Sequence, residues 1–238
     1  MNLKKLQSQA RRRLGLKGEL EFVPVSGGSQ GRILSSSQTT STLEMKHIVS
    51  YSGAAFLDPA DVYHEMCRAK LYELGYKSVE NAALVALKDC AKDEPKYIFD
   101  ANSAVVIVAE VYTSWMLYTF FPEESEARRE DTVLRFESSD ALTSLHTQMG
   151  FWGTAGIAYY KLAAQWADKT FPSKQVDAAI TRATDGAAIA DELTKIEDVL
   201  AHLPKIESID APFSDSIQLE ILSVIVELFS AKTGIECS

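Results

Sequence analysis

Little in this chain points to the common routes of binding or catalysis. Its three cysteines, Cys67, Cys90 and Cys237, have neither the close pairing of a redox motif nor the spacing of a zinc ribbon. A reducing cytoplasm is therefore the expected setting, with Cys237 a tail thiol. No G-x-S-x-G elbow occurs, and Ser26-Gly27-Gly28 lacks the lysine and spacing of a phosphate loop, so the usual nucleophile and nucleotide signatures are excluded. The N-terminus is basic but no apolar h-region follows it, so no secretory signal is expected. There is no internal repeat. With a net charge of −9, broad nucleic-acid binding is not expected either.

The bases are unevenly placed. Lys4, Lys5, Arg11, Arg12, Arg13 and Lys17 fall in the first 17 residues with no acid among them, and the remainder carries all 33 acids against 18 bases. Leu3, Leu6, Ala10 and Leu14 recur at helical spacing. A basic amphipathic helix of this kind can meet a nucleic acid, a membrane surface or the acidic body of its own molecule, and the apolar stripe favours the last.

At 46% hydrophobic and 24% charged, 238 residues can bury a substantial core. Residues 19 to 25, 32 to 37 and 43 to 51 read as strands, the first two joined through the turn 26 to 31; in the third, Leu43, Met45, Val49 and Tyr51 share one face. Beyond Asp58 the pattern is helical, over about 59 to 74, 78 to 92, 101 to 121, 138 to 169, 173 to 202 and 214 to 232, with prolines as breaks. Gly150, Gly153 and Gly156 are unusual inside a helix, and close helix packing is the expected reason. The expected fold is α+β, a small antiparallel sheet with a predominantly helical remainder. Residues 1 to 125 form its core and 126 to 238 a helical extension packed on it as one continuous domain.

Two places carry chemistry. In Val62-Tyr63-His64-Glu65-Met66-Cys67-Arg68-Ala69-Lys70-Leu71 a histidine and a glutamate are followed, one turn later, by arginine. Asp58 can cap this helix, Pro59 suits its first position, and Leu74-Gly75 supplies the stop. The second is Ala101 to Phe121, apolar throughout except for Glu110, its only charged residue. The segment is long enough to be a membrane candidate. Its central carboxylate, its Tyr112-Thr113-Ser114 and the lack of a second span make it a buried core helix, with Asp100 and Asn102 as possible caps and Pro122 as the stop. A buried carboxylate must find a cation, a metal or a proton.

The His-Glu-x-x-Arg helix, preceded by a strand and followed by a helix with an isolated glutamate, resembles the zincin metallopeptidases of the glutamate-ligand type over about residues 43 to 124. The resemblance implies that His64 stands at the first zinc ligand, Glu65 at the general base and Glu110 at the third ligand. The departure is Arg68, in place of the second histidine. A guanidinium has no acceptor and repels a cation. Cys67, on a neighbouring face of the motif helix, and His146 are alternative ligands of low weight, and His47 and His202 read as structural or exposed.

Three readings follow. The first is a zincin-like protein without zinc or peptidase activity, a pseudoenzyme in which Arg68 is a fixed cation between Glu65 and Glu110, acting by binding a peptide or protein. The second is an active zinc-dependent metallohydrolase using His64, Glu110 and an unconventional third ligand. The third is a helical interaction protein whose motif is accidental. No cofactor is expected in the first, zinc in the second, and a membrane span in none.

Overall fold

The computed structural model describes residues 3–25, 33–40, 45–52, 58–91 and 95–237. Helix α1 (Leu3–Leu14) leads to strands β1 (Glu19–Val25), β2 (Ile33–Thr40) and β3 (Met45–Ser52). Nine α-helices follow among the described residues: α2 (Pro59–Glu73), α3 (Tyr76–Ala91), α4 (Ile98–Phe120), α5 (Pro122–Phe136), α6 (Ser139–Met149), α7 (Phe151–Trp166), α8 (Ser173–Arg182), α9 (Gly186–Leu200) and α10 (Asp215–Thr233). The protein is mostly helical, as its periodicity indicates.

The sheet corrects the sequence reading. Its order is β1-β3-β2, with β3 parallel to β1 and antiparallel to β2. A hairpin order would make every pair antiparallel; insertion of β3 between β1 and β2 makes the β1–β3 pair parallel. The composition accounts for the choice. β2 is ILSSSQTT, a polar strand suited to an edge, whereas β3 supplies Val49, which is fully buried. The turn at 26 to 31, and most of the predicted face on β3, lie outside the residues whose surroundings are described.

Helix α1 packs its apolar stripe inward, with Leu6, Ala10 and Leu14 buried, against α2. Arg13 crosses to α4 and α5, bonding Phe120 O at 3.1 Å and Glu124 Oε1 at 3.0 Å and lying over the Phe121 ring. The junction between α1 and β1 is fixed by Glu73 at the end of α2. Its carboxylate accepts from the backbone N–H of Lys17 and Gly18 and lies 3.2 Å from Nε2 of the buried His47 on β3. Burial pushes the Glu73 carboxyl up, but the His47 and backbone bonds outweigh it and hold the group below its ordinary value.

At the centre lies α4, packed against α2, α3, α7 and α10, which explains why it is apolar all round. It is the one described helix long and apolar enough to cross a membrane, and most of that surface is buried inside this fold. One hydrophobic cluster runs from Leu6 on α1 to Phe229 on α10, so the residues after 125 share the core of those before it.

Several helix boundaries differ from the sequence reading. Pro122 is the first residue of α5 and not merely the end of α4, so an extra helix spans 122 to 136. The stretch 138 to 169 divides at Gly150, whose φ of +53° places it between helices and not inside one. The stretch 173 to 202 divides after Arg182, and Gly186 is required there because a Cβ would lie 2.2 Å from Ile180 O. Neither Asp100 nor Asn102 caps α4. Asp100 instead accepts from Trp152 Nε1 at 2.7 Å, and Asn102 donates to Ile98 O.

The cysteine reading is also corrected. Cys90, at the end of α3, is bonded to Cys237 across 147 residues, a pairing that no local spacing can reveal, and Cys67 is the free thiol. With this bond in place, the cysteines are no ground for expecting a reducing compartment.

Candidate functional site

The motif helix forms where the sequence places it. Asp58 accepts the Ala60 N–H at 2.8 Å, Pro59 occupies the first turn, and Gly75 ends the helix with φ +106°. On this frame Asp61, His64, Glu65 and Arg68 point along one side of α2, facing Glu110 of α4 and the Arg128, Asp131, Thr132 and Arg135 side of α5. The two helices and Glu110 enclose a polar cleft of about 680 Å³. That volume suits a small ligand or a few peptide residues.

At its base, His64, Arg68 and Glu110 meet. Arg68 Nη2 pairs with Glu110 Oε1, and the other carboxylate oxygen, Oε2, lies 2.9 Å from His64 Nε2. The second ring nitrogen, Nδ1, lies 3.3 Å from Glu65 Oε1. Burial pushes the His64 imidazole below its ordinary value, opposed by its bond to Glu65, and Arg128 and Arg68 add to the lowering. A neutral His64 donates one hydrogen bond, and Glu110 Oε2 is the nearer acceptor. The carboxylate that the sequence required to find a partner has therefore found two.

No protein-family model, curated protein or solved structure matches this chain. Its chemistry must be read from its own residues.

The site does not fit zinc as it stands. Both oxygens of Glu110 are engaged, one by a permanent cation that stands a helical turn from His64. Among the described residues no three His, Cys, Asp or Glu side chains are placed to hold a metal ion. Neither alternative ligand supplies the missing position. Cys67 is fully buried in the core and burial pushes its thiol well up. His146 belongs to α6, where its Nδ1 lies 3.4 Å from both Thr154 Oγ1 and Glu192 Oε2.

The rest of the cleft is built of ion pairs. Arg128 Nη1 bonds Asp61 Oδ1 at 2.6 Å, joining α5 to α2, and Arg135 bonds Asp131 at 2.8 Å along α5. These residues, and with them the second wall, escaped the sequence reading. The signal was present in Arg128, Thr132 and Arg135 at i, i+4 and i+7, but it becomes legible only once Pro122 is recognised as a helix start. Arg68 Nε is buried without a hydrogen-bond partner, so the cleft base keeps one unused donor.

Proposed function

We propose that this chain is a degenerate zincin-like protein that acts by binding a peptide or protein in the α2–α5 cleft, without zinc-dependent peptidase activity. The observation that carries the reading is the convergence of His64, Arg68 and Glu110, with the Arg68 guanidinium against the carboxylate that a zincin would offer to its metal. The order of elements agrees, since β3 leads into the motif helix and α4 brings the isolated glutamate across it. A fixed cation neutralises the site but cannot lower the pKa of a bound water, so Glu65 has no activated water to deprotonate. What remains is a polar cleft with charged rims, suited to holding a chain of amides and charged groups.

The test is zinc. Protein purified without chelator should contain far less than one zinc per chain. Arg68→His should bind zinc much more tightly, because it completes two imidazoles one turn apart opposite Glu110. Stoichiometric zinc in the parent protein, with hydrolysis of a mixed peptide library, would overturn the proposal. So would an Arg68→His protein that, in a calorimetric titration, takes up zinc no better than its parent.

A further inference from the structure

Charge is sorted between the two ends of the chain. Helix α1 holds Lys4, Lys5, Arg11, Arg12 and Arg13 with no acid, and its side opposite the buried stripe exposes Lys4, Ser8, Arg11 and Arg12. Residues 206 to 231 hold Glu207, Asp210, Asp215, Glu220 and Glu227, all exposed, and neither lysine nor arginine. On α10, Glu220, Ser223 and Glu227 share the outward face with Leu219, which is 65% exposed. Little inside the molecule answers these charges. Arg11 Nη2 donates to the neutral Gly18 O at 2.8 Å, and Lys4 and Arg12 pair with no acid. Glu220 accepts from Ser216 Oγ at 3.0 Å; Glu227 accepts from Ser223 Oγ at 3.1 Å and lies 3.3 Å from the exposed His202 Nδ1.

We infer that the outward face of α1 docks on the outward face of α10 in a second copy of this chain. Charge and spacing together select that occupant. Lys4, Ser8 and Arg11 stand at i, i+4 and i+7, and Glu220, Ser223 and Glu227 at i, i+3 and i+7. Laid antiparallel, the two helices bring Lys4 to Glu227, Ser8 to Ser223 and Arg11 to Glu220 in one register, over about 10 Å of helix. The serines at the middle are small enough to let the helices approach. Arg12 falls opposite Leu219, which covers the aliphatic stem of the arginine. Other anions fit less well. A bilayer gains little, because the apolar stripe of α1 is buried on α2 and cannot enter it. Phosphates of a lipid or a nucleic acid would answer to the charge of α1 alone, whereas α10 matches its spacing as well. Because each copy carries both faces, the contact either closes on itself or propagates.

Exposed ion pairs are individually weak and are screened by salt, so the association is weak and belongs to low ionic strength. Sedimentation equilibrium of the full chain at high protein concentration measures it. In about 10 mM salt, where the Debye length is about 30 Å, the mean mass should climb above the 26.2 kDa of one chain. In about 1 M salt, where that length is about 3 Å, it should return to the single chain. Lys4→Glu with Arg11→Glu, and separately Glu220→Lys with Glu227→Lys, should each abolish association in low salt. An equimolar mixture of the two variants should recover it, because opposite charges then face each other across unlike chains. Circular dichroism melts check that both variants fold. Should loss of the Arg11 bond to Gly18 O loosen α1, Lys4→Glu mixed with Glu227→Lys makes the same comparison with a smaller recovery. A parent chain that stays single at every concentration would overturn the inference, as would reversed chains that associate unchanged or a mixture that stays single. Capture of the parent by phosphatidylserine vesicles or duplex DNA, lost in Lys4→Glu with Arg11→Glu and without self-association, would assign the face to phosphates instead.

Discussion

The guanidinium of Arg68 on α2 and the carboxylate of Glu110 on α4 form an ion pair that leaves only 16% and 15% of the two side chains exposed. Breaking a pair so enclosed strands the surviving charge, which costs more than the pair itself contributes. Glu110→Gln or Arg68→Met alone should therefore destabilise the fold by about 3 kcal/mol, and the double change should cost clearly less than the sum. A denaturant double-mutant cycle measures this, and strictly additive losses would mean that the two groups are not coupled.

His64 gives the fold a pH dependence of defined sign. Its native pKa lies below the ordinary 6.5 because the ring is buried. As pH falls from the unfolded value toward the lower native one, the unfolded chain binds more protons than the native chain, and stability falls. This contribution is complete above about pH 6.5 and is lost below it. Urea midpoints measured across that range should decline toward acid, and His64→Gln should flatten the decline. A slope unchanged by the substitution would assign the effect to other groups.

Gly153 and Gly156, three residues apart in α7, should respond oppositely to alanine. Gly156→Ala should stabilise by about 1 kcal/mol, the ordinary helix preference, because its Cβ enters open space. Gly153→Ala should destabilise, because its Cβ is driven against Leu145 O on the neighbouring helix. Thermal melts of the two variants decide the matter, and equal shifts would contradict the helix packing described.

The bond between Cys90 and Cys237 closes a loop of 147 residues. Cross-links over long loops restrict the unfolded chain most, so Cys237→Ser should lower stability by about 2–4 kcal/mol. Reductant should lower the parent protein by a similar amount and leave Cys237→Ser unchanged. Thiol titration of the oxidised parent should find no reactive group until unfolding releases Cys67, which is fully buried.

The sequence by itself determined the helices whose ends carry their own chemistry. Asp58 and Pro59 start α2 and Gly75 stops it through local bonds and backbone angles, so these limits can be read without the fold. The amphipathic stripe of α1 and the need of Glu110 for a partner are equally local, since both follow from spacing and from the cost of a buried charge. Other features depend on distant contacts and left no local trace. The strand order was decided by the pairing of β3 with both other strands, the cysteine pair by where the tail ends, and the break at Gly186 by the close approach of Ile180 O. The cleft is of the same kind. Sequence pointed to one wall of it on α2, and only packing of α5 across that helix, with Arg128 bonded to Asp61, supplied the other, because ion pairs between helices are set by tertiary geometry and not by spacing along the chain.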